Sequence, residues 1–352
     1  MTFAEHLPDS GPDAHFRDAV AGSLRHAGDV SQLLQGGPQR WTDVLLSEVR
    51  AHLSGCFNAV EVAIGLHLGE SWLARPVEAL GPGYCRLAIE RHPAVLSPVL
   101  LDHLRLRAAA AIALRMNLLP APRGEDEGAP DISLADVVAA EALTALRLSV
   151  DPWLTPHPLE WSMRADLAAE AFADLVWAAC ALLVEGLTAR MGVDHGAAMP
   201  VLVRAAEAIV ARHDEQAGPF ARAAFVASIV RGDNDVRDLA EQSAMRHDLL
   251  LVAALGAVRA GMPLEQALAL LVDGTAEERA ALAHLLSLSD EAFVAMLDAL
   301  APIGDTGDDS LLPDILAHYR GLTPEEAMRH LGRWRGPAPL IAKLSRMGWM
   351  RS

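Results

Sequence analysis

The tetrapeptide Arg246-His247-Asp248-Leu249 holds the most suggestive chemistry in the chain. A helical imidazole followed by an acid and an apolar run can accept phosphate, because a neighbouring carboxylate helps to set the proton state of the ring. His247 as phosphoacceptor, with Asp248 beside it, is one reading, and a solvated histidine on a helix face is the plainer one. His52 and Cys56 lie at i,i+4 and share a helix face. Two ligands fall short of a zinc site, so packing is the expected role of this pair. None of the 14 histidines has Glu three residues before it, and no two are three or four apart. The carboxylate–histidine pattern of di-iron bundles is therefore missing.

Asn234-Asp235 with Asp238 and Glu241 places acids at helical spacing and resembles the magnesium-diphosphate motif of all-helical terpene enzymes. The acid falls one position early and no partner Asp-Asp-x-x-Asp exists, so these acids are expected to complement a helix dipole. Lys343 is the only lysine in the chain. That excludes phosphate-loop, protein-kinase and pyridoxal chemistry, each of which needs a lysine in a motif that Lys343-Leu344 does not supply. Gly81-Pro-Gly83 loses the dinucleotide fingerprint at its third glycine, and Gly69-Glu-Ser71-Trp-Leu73 fails as a nucleophile elbow. No catalytic residue, metal or cofactor is assigned, and the chain is not expected to be an enzyme.

Elements that position these residues follow from composition. Apolar residues make up 52% of 352 but aromatics only 5%, so the core must be Ala, Leu and Val at close helix–helix distance. A net charge of −17 argues against nucleic acid as partner, since phosphate neutralisation needs a cationic face. Cys56, Cys85 and Cys180 are odd in number and irregularly spaced, and Met1–Phe16 has no basic start or apolar run, which together suggest a cytoplasmic protein with free thiols. The longest apolar run, Leu175–Val184, covers about half of the ~20 residues a bilayer demands and reads as a buried helix.

Ser, Thr, Asp or Pro opens nearly every apolar segment and Gly or Pro closes it. Helices are expected over 13–34, 41–68, 97–116, from Ser133 on, 159–191 as a long spine, 194–213, 219–230, 235–260, 263–272, 276–286 and 290–300. Thr275-Ala-Glu-Glu278 has capping-box form. The fold class is all-α, an irregular α-solenoid with HEAT-like repeats or a multi-helix bundle. Four regions are expected: 1–119 helical, 120–132 a flexible acidic linker, 133–336 a repeat-like domain and 337–352 a basic amphipathic tail. From Arg329 to Ser352 there are six bases and no acid, leaving −23 on residues 1–328. Leu340, Ile341, Leu344 and Met347 recur at helical spacing. A tail docked on the acidic body is one expectation. The other is a surface for an anionic partner built from Arg333, Trp334, Arg335, Lys343, Arg346 and Trp349.

The run Gly261-Met-Pro263 to Leu271, Ala280–Leu288, Asp290-Glu-Ala-Phe293 and Tyr319-Arg-Gly-Leu-Thr-Pro-Glu-Glu-Ala327 with Leu331 and Trp334-Arg335 resembles the bacterial helical family catalogued as domain of unknown function 2336. The resemblance covers about residues 95–336. It implies an all-helical, repeat-like fold and brings no activity with it. The function expected is a non-catalytic helical module that binds a protein partner, with histidine phosphotransfer through His247 or binding of an apolar small ligand as alternatives.

Overall fold

The computed structural model describes residues 41–117, 136–154, 163–304 and 312–337, with residues 26, 28–31, 33 and 340. Every regular element among them is helical. The order is α1 (Asp43–Leu68), α2 (Ala74–Ala79), α3 (Tyr84–Ala88), α4 (Pro98–Met116), α5 (Val137–Leu154), α6 (Ala169–Met191), α7 (His195–Ala211) and α8 (Pro219–Ile229). It continues with α9 (Asp233–Met245), α10 (Leu249–Ala260), α11 (Leu264–Asp273), α12 (Ala276–Leu285), α13 (Asp290–Leu300), α14 (Leu312–Gly321) and α15 (Pro324–His330). Thr42, Ser97, Asp194, Asp248, Thr275, Ser289 and Thr323 each accept a bond from a first-turn amide, so the polar punctuation of the sequence acts as caps. The capping box at Thr275 and Glu278 is present, and Thr323 with Glu326 forms a second.

Helix α4 is the hub. Leu100, Leu101 and Leu104 lead into Ala108-Ala-Ala-Ala111, whose small side chains allow neighbours to approach on several sides. It packs on α1, α5, α6, α10, α11 and α13. Ser97 caps α4 through Leu100 N and donates its hydroxyl to Asp174 Oδ2 at 2.6 Å, tying the hub to α6. Helix α10 is buried along nearly its whole length and packs on α4, α8, α9, α11 and α12.

A linear solenoid joins each repeat only to its neighbours. Here Thr42 donates to the carbonyl of Pro302 at 2.7 Å, and Arg105 on α4 forks onto Asp273 at the end of α11. The chain is thus an all-α multi-helix bundle closed on itself. Helices from both sides of residues 120–132 contribute to one continuous core. The expected linker lies outside the described residues, as do all of the expected tail but residues 337 and 340 and most of the expected helix 13–34, of which residues 26, 28–31 and 33 are helical. Helix α6 is long and apolar enough to cross a membrane by length and composition, and most of it is covered by α1, α3, α4 and α7.

Two expected helices are corrected. The spine begins at Ala169, not Leu159, because residues 163–168 spend their backbone on tertiary bonds. Met163 N donates to Gly55 O at 2.9 Å, Arg164 O accepts from Arg107, and Leu167 O pairs with His213 Nε2. This extended strap crosses α1 where Gly55 leaves room: a Cβ there would stand 2.5 Å from Met163 Cβ. The expected helix 235–260 is two helices, α9 and α10. His247 adopts φ 57, and the bonds His247 N to Ala244 O and Asp248 N to Ser243 O close α9 as a Schellman motif.

Gly55→Val is expected to lower the unfolding free energy by more than about 2 kcal/mol in urea, since overpacking displaces the strap. Gly65→Val, on the same helix with open space at its Cβ position, should stay within about 1 kcal/mol of the parent.

Candidate functional site

Helix α5 is amphipathic, but two of its faces are apolar. Ala139, Leu143, Leu146, Val150 and Trp153 recur every three or four residues and are buried against α4 and α8. On the other side Val137, Ala140, Glu141, Thr144, Ala145 and Leu148 line a shallow groove of about 480 Å³. Val137 is 68% exposed and Leu148 71%, in a chain whose remaining leucines mostly sit inside. The groove is open, is lined by α5 alone and runs along about three of its turns, and Glu141 is its one ionisable lining residue among the described residues. Arg222 of α8 fixes α5 by donating to the carbonyls of Ala145 and Ala217 at 2.9 and 3.0 Å.

Beneath α5 lies a polar layer that an Ala/Leu core would not be expected to tolerate. Arg107 is 1% exposed. Its guanidinium meets Asp166 Oδ1 at 2.7 Å, donates to Arg164 O at 3.1 Å and to Cys56 Sγ at 3.2 Å, and lies 5.3 Å from the Trp153 ring. One turn along α4, the His103 ring packs tilted against Phe220 at 4.7 Å between ring centres. On α1, His52 sits within 2.9 Å of Glu48, which also pairs with Arg115. Burial pushes His52 down to about 4 against the pull of Glu48, and burial with the charge of Arg107 does the same to His103. Burial would raise Glu48, but bonds from His52 and Arg115 outweigh it and lower the group. The Cys56 thiol is raised by burial. These groups are enclosed and packed against one another, which suits positioning of helices rather than turnover of a substrate.

The residues singled out from sequence fare differently. His52 and Cys56 do share a face, each with its own partner in the polar layer. His247 is not on a helix face: it occupies the α9–α10 break, half-buried, with no hydrogen-bond partner for Nδ1 among the described residues. Burial lowers its pKa, and Asp298 opposes that shift. Asp248 caps α10 through Leu251 N at 3.0 Å, and burial pushes it up to about 6. Of the acids near Asn234, Glu241 accepts from Ser289 N at 2.8 Å and so caps α13, while Asp238 pairs with Arg237. Arg333 pairs with the buried carboxylate of Glu278, to which Trp334 Nε1 also donates at 2.8 Å. Arg333 and Trp334 are thereby committed inside the chain, and Arg335 is exposed. Lys343, Arg346 and Trp349 lie outside the described residues.

Sequence reasoning missed Arg107, Asp166 and the α5 face. A signal for Arg107 exists: Leu100, Leu104, Arg107 and Ala111 form one helical stripe, and an arginine in it must be buried with a partner. The chain matches no family model, no curated protein and no solved structure.

The polar layer sets an acid limit. His52 and His103 stay neutral in the fold until about pH 4, whereas unfolded histidine titrates near 6.5. Between those values the unfolded chain binds protons the folded chain refuses, so stability present above pH 6.5 is lost as pH falls. Asp248, raised to about 6, acts oppositely, but one carboxyl does not offset two imidazoles. Unfolding free energy in urea should fall by about 2 kcal/mol from pH 7 to pH 5. His103→Phe should remove most of that drop, and a urea midpoint independent of pH would refute the neutral buried rings.

Proposed function

We propose that the chain is a non-catalytic interaction module that captures an amphipathic helix of a partner protein on the outer face of α5. The observation that carries this reading is the groove itself. Its wall of Val137, Ala140, Thr144, Ala145 and Leu148 has the i, i+3/i+4, i+7 spacing into which the apolar stripe of a second helix interdigitates. Ala140, Thr144 and Ala145 are small, which lets a partner backbone come near. Val137 and Leu148 at the two ends supply apolar area to bury. Charge selects the partner. Glu141 stands in the groove of a chain carrying −17, so a helix with Lys or Arg beside its apolar stripe is favoured and an acidic one is repelled.

A synthetic amphipathic helix with a Leu stripe flanked by Lys is the probe, followed by fluorescence anisotropy on the full chain. Saturable binding is expected, weakened on the order of tenfold or more by Leu148→Glu, because burying one Leu side chain contributes about 1.5–3 kcal/mol. The urea midpoint of that variant should equal the parent's, as Leu148 makes no core contact. Equal binding of a peptide with Glu in place of Lys, or of Leu148→Glu, would refute the assignment. So would self-association in sedimentation velocity that Leu148→Glu abolishes, since the face would then belong to a second copy.

A further inference from the structure

The strap 163–168 has a second side. Where it leaves the polar layer it forms one wall of a cleft of about 340 Å³, whose other walls are α1, the start of α6 and the end of α7. None of the lining residues belongs to α5, so the cleft is separate from the partner face. Ala59, Val60 and Ala63 of α1, Phe172 of α6 and Ile209 of α7 make an apolar floor. Arg164, Arg212, His213 and Asp214 stand at the rim, with Asp166 at the junction to the core.

The rim is held in place by bonds within the protein. His213 places Nε2 2.8 Å from Leu167 O and stacks on Phe172 at 3.8 Å between ring centres, so the ring fixes strap, α6 and the end of α7 to one another. His67 bonds through Nδ1 to Ala63 O at 2.9 Å, the tautomer that presents its Nε2 lone pair to Arg212 Nη1 at 3.2 Å. One arm of the Arg212 guanidinium is thereby anchored and the rest of the fork is left for a ligand. Arg164 has its carbonyl bound by Arg107, while its guanidinium has no ion-pair partner among the described residues. The carboxylates nearby are engaged elsewhere: Asp166 with Arg107 and Asp214 with Gln216 N at 3.0 Å. In a chain of −17, the rim of this cleft thus carries two guanidinium groups over an apolar floor, beside Asp166 and Asp214 whose carboxylates are bonded to Arg107 and to Gln216 N.

We propose that this cleft binds a small carboxylate with an apolar body. Its carboxylate lies between Arg164 and Arg212, which offer the forked donors that match a planar anion. Its hydrocarbon covers Val60, Ala63, Phe172 and Ile209. Cleft volume and composition are those of a small-molecule site, mostly apolar with a few convergent polar groups. Inorganic phosphate fits poorly, because it leaves the floor wet and brings a second negative charge towards Asp214 and Asp166.

Isothermal titration calorimetry of the full chain with hexanoate tests the site, with hexanol and inorganic phosphate as comparisons. One saturable site with a dissociation constant of about 1 mM or tighter is expected for hexanoate. Arg164→Gln and Arg212→Gln should each weaken it by roughly tenfold, one charge-assisted bond's worth, and Arg212→Lys should recover part. Both arginines are exposed, so unchanged urea midpoints are expected and show that the variants fold. Leu148→Glu should bind hexanoate as the parent does, which separates this site from the α5 face. No saturation by hexanoate, equal affinity for hexanol, displacement by phosphate, or unaltered binding by Arg212→Gln would each overturn the proposal.

Discussion

A guanidinium buried among alanines and leucines is the constraint from which much of this architecture follows. Arg107 sits on the apolar stripe of the central helix, where an isolated charge costs far more than the marginal stability of a domain can spare. Its compensation has to be brought from distant parts of the chain. Asp166 supplies the counter-charge, Arg164 a carbonyl, Cys56 a sulfur acceptor and Trp153 an aromatic face. These come from α1, the strap and the end of α5, so satisfying one side chain fixes the relative positions of three other segments. A buried pair of this kind contributes little net stability over a hydrophobic replacement, whereas loss of one partner leaves an uncompensated charge. Its effect is on which arrangement is chosen.

The strap shows how that constraint overrides local preference. Residues 163–168 include Arg164, Ala165 and Leu167, all good helix formers, and nothing in their order forbids a helix. They stay extended because their carbonyls and carboxylate are needed by Arg107 and His213, and because Gly55 offers α1 as a surface they can cross closely. One face of the strap then closes the polar layer and the other walls the Arg164–Arg212 cleft.

Much of the fold was legible in the sequence, and the parts that were not share a cause. Caps by Thr42, Ser97, Asp194, Thr275 and Ser289 could be read because each is a local bond between a side chain and an amide three residues on. The end of α9 could not, whereas that of α12 was expected at 286 and lies there. Both are Schellman motifs in which His247 and Ser287 take the left-handed position that glycine usually fills, at φ 57 and 55. Arg246-His247-Asp248 contains no glycine or proline to mark a stop, and the break there removes His247 from the helix face that a phosphoacceptor was expected to occupy. Glu278 was legible as half of a capping box, but its second use, as the buried anchor for Arg333 and Trp334, depends on a contact 55 residues away. Arg107 itself could be placed on a buried stripe, yet its partner Asp166 could not be named, since spacing encodes the face of a helix and not what lies across from it.

The same chain leaves apolar surface on α5 while covering it elsewhere, and the difference is electrostatic as well as geometric. Helix α6 is the most apolar long helix among the described residues, and most of its apolar surface is covered by α1, α3, α4 and α7, while Glu170, Trp177 and Arg190 face outward. Among the described residues helix α5 has neighbours on one side only, held there by Trp153 and by Arg222, and its outer stripe is uncovered by them. Exposed leucine and valine of this kind invite like copies to associate. A charge of −17 on each copy opposes that encounter and favours one with a cationic surface. Like charge on each copy therefore does for this exposed stripe part of what packing does for α6: it opposes contact between copies through apolar area.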